Sequence, residues 1–248
     1  MKERIKKEWN EYRVLMRSVP ALVLVFFVAA IMAANLLANK SIDTGLSWLA
    51  LDCGILVSWV SFMAMDVMIK RFGPKASTEI SLTATAVSLL LCFVFFVGSQ
   101  LTGAWGESYV DNGAEIINTA LNNTFGGVWY VVLGSTLASI SGSLVNIFTN
   151  WGIGKIRSHD KDSFKTFALR SYFSTAIGQF VDNFVFAMIV SLNFFGWTFI
   201  QCLTCSATGA IVELLCEVVF SPVGFKIVKS WDKQNVGKEY LDYVATNK

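Results

Sequence analysis

Six apolar runs, near 19–37, 48–69, 78–101, 127–148, 167–195 and 198–222, alternate with polar segments along 248 residues. Each is near or above the ~20 residues that carry a helix across about 30 Å of hydrocarbon. A helix satisfies its own backbone where no water is at hand. The pattern predicts an all-α polytopic membrane protein, a bundle of six transmembrane helices forming one transport-sized domain over 19–222. Residues 1–18 read as an amphipathic segment, with Trp9, Tyr12 and Met16 spaced to lie at the interface. Residues 223–248 read as a polar tail. Pro20, Pro74 and Pro222 each fall at an end of a run, where a missing N–H does least harm.

Charge orients the runs. In chain order the polar segments carry six, one, three, none, five, none and five Lys or Arg, with Arg170 counted in the fifth. Basic segments stay on the cytoplasmic side, so both termini are expected inside and the chain is expected as a multi-pass protein of a bacterial plasma or inner membrane. The same parity reads the first run as an uncleaved anchor rather than a signal peptide. The basic loops meet membrane lipid headgroups, and no nucleic acid is expected as a partner.

Composition narrows the function. The chain is 54% hydrophobic and 15% charged, against about 25% charged in soluble domains. Cys202-x-x-Cys205 lies inside a run and reads as apolar packing. The single His, His159, sits in a charged loop, so no metal site, cofactor or catalytic set is expected, and the chain is read as a non-enzyme. No phosphate-binding Gly-rich loop is present. The segment AEIINTAL between the third and fourth runs reads as solvated loop. In the fourth run Gly134, Ala138 and Gly142 make a small-residue stripe suited to close helix packing.

The informative residues are those that do not belong in a bilayer. Ionisable groups at mid-membrane cost roughly 2.5–3.5 kcal/mol each and persist where they face a cavity or one another. The fifth run holds Gln179, Asp182 and Asn183 near its middle; the sixth holds Glu213 and Glu217 one turn apart. Asp66 closes the second run, and Asn35 and Asn39 close the first. For Asp52, Asp66, Glu79 and Arg170, headgroup contact and an interior role stay open. Asp182 and Glu213 have no Lys or Arg at their depth, so they need a proton or a donor-rich guest. A carboxylate accepts two adjacent N–H groups, as on a guanine-like edge, and aromatic rings stack on a planar heterocycle.

Four motifs carry a family resemblance: Asn35-Leu-Leu-Ala-Asn39-Lys40, Asp66-Val-Met-Ile-Lys-Arg-Phe-Gly73, Ser174-x-x-x-Gly178-Gln179-x-x-Asp182, and Glu217-x-x-x-x-Pro222. In this order and spacing the chain resembles the queuosine-precursor transporter (VUT) family. The resemblance implies a six-span importer of 7-deazaguanines such as the 7-cyano or 7-aminomethyl form, or queuine, with no ATPase subunit of its own. It makes Asn35, Asn39, Asp66, Gln179 and Asp182 substrate or gating residues; Asn183, Glu213 and Glu217 join them from the residue reading. Lys70 stands where the family commonly has Glu, Phe72 where it has Tyr, Asn183 where it has Thr and Glu213 where it often has Lys. The last change favours a more cationic ligand.

The expected function is thus secondary, proton-coupled or facilitated import of a queuosine precursor or related purine-like base, the guest lying between the first, fifth and sixth helices. The alternative is the substrate-binding component of an energy-coupling-factor vitamin importer, docked on an ATPase module. Pairing into a homodimer is left open.

Overall fold

Ten helices and one two-residue strand pair make up the described part of the chain, a computed structural model covering residues 2–38, 40–49, 51–106, 114–127, 129–156 and 164–247. Helix α1 (Lys2–Ser18) meets α2 (Ala21–Leu37) at Pro20, where the axis turns by 99°. Strands β1 (Ser41–Ile42) and β2 (Leu51–Asp52) pair antiparallel ahead of α3 (Ile55–Phe72). Gly73, at φ 88°, ends α3, and Pro74 opens α4 (Pro74–Gln100). This is the pairing of a left-handed glycine stop with a proline start. Next come α5 (Ala114–Asn122), a π-turn at Asn123–Gly127, α6 (Trp129–Ile156) and α7 (Phe164–Phe186). A second π-turn (Ala187–Ser191), α8 (Leu192–Phe194), α9 (Phe199–Lys233) and α10 (Lys238–Thr246) complete the chain.

Among the described residues two helices, Pro74–Gln100 and Phe164–Phe194, are long and apolar enough to cross a bilayer, and up to four segments are if each bent pair counts as one. Helix α2 has 17 residues, and α3 carries Asp66, Lys70 and Arg71 within 18. The surface supports a membrane setting more directly. Leu22, Val25 and Phe26 of α2, Phe93 of α4, Phe173 of α7 and Val219 of α9 point outward, while Ser, Thr, Asn, Gln and Glu fill much of the interior. That inversion suits lipid outside and polar function within.

Three sequence expectations change. AEIINTAL is helical, as α5: Glu115 complements its first turn, and Asn118 and Asn122 accept from the Trp105 backbone N–H (2.9 Å) and indole (2.8 Å). The second run does not start as helix at residue 48; the strand pair occupies its first part and α3 begins at Ile55. Pro222 lies inside α9 rather than at its end. The Val218 carbonyl four residues earlier loses its backbone donor to the proline ring, and Ser221 Oγ donates to it at 3.2 Å.

Helices α6 and α7 pack along each other, α7 along α9, and α3 against α9 and α2. Two apolar clusters brace this assembly. One holds Leu15, Met68, Phe72, Ile147, Phe167 and Tyr240; the other holds Ala38, Val131, Ala138, Phe186 and Val190. Along α7 the polar residues from Ser171 to Asn183 fall between Phe167 of the first and Phe186 of the second.

The α1–α10 end is a polar layer. Lys75 pairs with Glu8 (2.9 Å) and Glu11 (2.8 Å), Arg71 with Asp232 (2.9 Å), and Arg71 also donates to the Val236 carbonyl. Burial, then the charges of Glu11 and Glu79, push the Tyr240 phenol up to about 12 against the opposing charge of Lys75. A phenol raised above its unfolded value of about 10 adds stability that is complete below about pH 10 and is lost as pH climbs toward about 12. Docking of α10 on α1 is therefore expected to loosen over that interval, read by limited proteolysis of the 234–237 turn. Tyr240→Phe is expected to remove the step.

Candidate functional site

Glycines set the geometry between the helices. A methyl group added at Gly142 of α6 would lie 2.6 Å from the Asp182 Cβ and 2.9 Å from the Gly178 carbonyl. One added at Gly178 would lie 2.8 Å from the Asn146 Cβ and 3.1 Å from the Gly142 carbonyl. The two helices cross through this reciprocal pair, as small-residue stripes allow. Gly209 of α9 makes the same room for Asn183, whose Nδ2 would be 2.6 Å from an added Cβ. Asp182 and Asn183 are thus seated by backbone on both sides. Gly134, two stripe positions from Gly142, packs on Val190 and Ile189.

These helices line a half-open cavity of about 50 Å³, enough for a few waters. It is lined by Asn35 of α2, Asp52 of β2, Ser58 of α3, Ser135 of α6, Asp182, Asn183 and Phe186 of α7, and Glu213 of α9. Glu213 is 1% exposed. Its Oε1 accepts from Ser58 Oγ and its Oε2 from Asn183 Nδ2 at 3.3 Å. Asp182 is half-buried and accepts no hydrogen bond from any described residue. Asp52 is anchored at the start of α3, its Oδ1 accepting from the Gly54 N–H at 2.7 Å. Asn35 donates to Ser88 of α4 at 3.0 Å, which also places it at a separate apolar crevice between α2 and α4. The lining holds three carboxylates and no Lys or Arg. Its chemistry is acceptor-rich, with amides at two corners and one ring, Phe186, on a wall.

The remaining sequence candidates go elsewhere. Asp66 and Glu217 lie in a second, fully buried network between α3, α6, α7 and α9. Asp66 Oδ1 accepts from Asn150 (2.8 Å), Asn146 (3.4 Å) and Ser174 (3.4 Å); its Oδ2 accepts from Ser171 and from Thr175 (3.4 Å). Ser171 Oγ is also 2.6 Å from Glu217 Oε1. Arg170 donates to the Asn150 carbonyls of backbone (3.1 Å) and side chain (2.8 Å), which turns the Asn150 amide N–H toward Asp66. Gln179 is wholly buried with both amide atoms unpaired; it shares the stripe of Thr175 and Asn183 but lines neither group. Asn39 lies outside the described residues.

Of the two readings left open for Asp52, the β2–α3 corner brings it to the cavity; Ser58, a serine in an apolar run, carried no signal in the sequence. Asn146 and Asn150 did carry a signal, two amides one turn apart in a helix with no other amide or acidic residue. Among the described residues no group of three or more His, Cys, Asp or Glu side chains is placed to hold a metal ion.

Comparison with known proteins bears on this arrangement. A family model described as "Putative vitamin uptake transporter" matches residues 52–227. The chain is 28% identical over 166 residues to the "Probable queuosine precursor transporter" of Bacillus subtilis (strain 168). That match takes in 67% of this chain and 66% of the relative, just under two thirds of the relative's length. No solved structure matches.

Proposed function

Since the chain belongs to the vitamin uptake transporter family, we propose that it imports a queuosine precursor or a related purine-like base across the bacterial plasma or inner membrane. In this reading six crossings, α2, α3, α4, α6, α7 and α9, carry the chain through the bilayer with both termini cytoplasmic. The 99° bend lays α1 along the surface beside α10. The cavity between α2, α3, α6, α7 and α9, which has room for a few waters, widens as the helices part to admit the guest, and the two sides open alternately around it.

One observation carries the proposal: the Asp182 carboxylate opens into a cavity where no described residue donates to it, beside Asp52 and Glu213 and without a facing cation. A buried anion left unpaired is costly, so the arrangement asks for a guest with N–H donors. Asp182 accepts two adjacent N–H groups of a deazaguanine edge. Asn183 and Asn35 take the remaining edge atoms, and the Phe186 ring covers a face. Glu213 and Asp52 receive a cationic arm. The substrate relation is supported by the likeness to the Bacillus relative named as a probable queuosine precursor transporter and by this complementarity.

The carboxylate set separates the precursors. The 7-aminomethyl form carries a cation that the 7-cyano form lacks. Purified protein is expected to bind the aminomethyl form at least about tenfold more tightly, about 1.4 kcal/mol, by isothermal titration in detergent. Equal binding of the two, or preference for the nitrile, would remove Glu213 and Asp52 from the substrate contact. Protein reconstituted alone into liposomes is expected to take up the base; uptake only after an ATPase module is added would turn the reading into the energy-coupling-factor alternative.

A further inference from the structure

The second polar network has more acceptors than its hydrogens can serve. Ser171 Oγ stands within hydrogen-bond distance of both Asp66 Oδ2 and Glu217 Oε1, yet a serine hydroxyl has one hydrogen to donate. Without another proton, the Glu217 contact at 2.6 Å would set two oxygens against each other with nothing between them. Glu217 Oε2 is wholly buried and has no hydrogen-bond partner among the described residues. It too is an acceptor left empty.

The surroundings of the two carboxyls are unequal. Asp66 is surrounded by donors from Asn146, Asn150, Ser171, Ser174 and Thr175. Arg170 orients Asn150 toward it and adds positive charge nearby. Such a shell stabilises a carboxylate. Glu217 has the Ser171 contact and nothing else. An unpaired carboxylate oxygen in this interior costs far more than the unpaired carbonyl oxygen of a neutral acid.

We infer that Asp66, Ser171 and Glu217 form a proton-binding site separate from the cavity, with Asp66 ionised and Glu217 the acid. Glu217 Oε1–H donates to Ser171 Oγ, and Ser171 Oγ–H donates to Asp66 Oδ2. One proton satisfies every oxygen of the chain except the Glu217 carbonyl. Release leaves Glu217 as a carboxylate with no donor, so it requires Ser171 to reorient or α9 to move. The groups facing the pair are Arg170 and Tyr172 from α7, the second through Ser221, and the amides Asn146 and Asn150 from α6. Glu213, one turn along α9, is held by Ser58 and Asn183 at the other cavity. Hydrogen-bond spacing between the oxygens leaves no room for a metal cation. The inference deepens the import reading by placing a proton one helical turn from the guest, but the site exists whether or not that guest is correct.

Infrared difference spectroscopy of the full chain in lipid at neutral pH reads the carbonyl stretch of protonated carboxyls. Glu217→Gln is expected to lose one such band. Asp66→Asn is expected to keep it, shifted, and Ser171→Ala to shift it without loss, because the acid then lacks its acceptor. Replacing sodium with choline is expected to change nothing. An unchanged band in Glu217→Gln, loss in Asp66→Asn, or a band suppressed by sodium would each overturn the assignment. The Ser171→Ala arm stands if Glu217→Gln fails to elute as folded protein. No uptake of the deazaguanine by the unsubstituted protein, with the band behaving as expected, would count against the import reading alone. Normal uptake with no Glu217 band would count against the proton site alone.

Discussion

Asp182→Asn is expected to lower binding and uptake of 7-aminomethyl-7-deazaguanine by about thirtyfold to several thousandfold while leaving the melting temperature nearly unchanged. The range follows from removing one member of a desolvated, charge-assisted pair, about 2–5 kcal/mol, at about 1.4 kcal/mol per tenfold. The substitution also turns an acceptor into a group whose N–H meets the N–H donors of the guest. Stability is spared for a separate reason: no described residue donates to the Asp182 carboxylate, so the fold loses no hydrogen bond. Equilibrium binding and a thermal melt on the same preparation distinguish the outcomes. A large drop in melting temperature with binding intact would make Asp182 a structural residue.

Gly142→Val is expected to abolish transport by a different route. Its new Cβ would press on the Asp182 Cβ at 2.6 Å and the Gly178 carbonyl at 2.9 Å, both parts of the α7 framework. Neither is the free end of a flexible side chain, so the helices must part. Overpacking of this kind costs about 1–3 kcal/mol and carries Asp182 away from the position that shapes the cavity. Gly152→Ala on the same helix supplies the control. Nothing lies within 4 Å of its added Cβ, and a helix tolerates alanine better than glycine, so uptake and stability should match the parent. If Gly142→Val transported normally, the crossing of α6 and α7 would not set the site.

How far the site was readable can be traced through these residues. Asp182, Asn183 and Glu213 interrupt apolar runs, and such interruptions survive only with a reason. Their meeting in one cavity follows from α7 packing on α9. Glu213 and Glu217 share a helix stripe and so read alike in sequence, but four residues of rise, about 6 Å, divide them between different partners. No spacing rule reveals that division; it depends on where Ser58 and Ser171 arrive from α3 and α7. Asp52 was left between headgroup contact and an interior role for a related reason. An apolar run beginning at residue 48 reads as continuous helix, whereas the β1–β2 pairing turns the backbone and delivers Asp52 to the cavity mouth. Ser171, Ser174 and Thr175 are small hydroxyl residues of the kind that also pack helices, so only the positions of their partners give them a role. The stripe of Gly134, Ala138 and Gly142 was legible as a packing face, but that its Gly142 seats Asp182 was not.

The measurement that bears most directly on the import reading is an experimental structure of the full chain with 7-aminomethyl-7-deazaguanine bound. The expected result is planar density against Phe186, with its N–H edge within hydrogen-bond distance of Asp182 and its aminomethyl arm at Glu213 or Asp52. A guest found instead in the apolar crevice between α2 and α4, or a cavity still empty at saturating ligand, would contradict it.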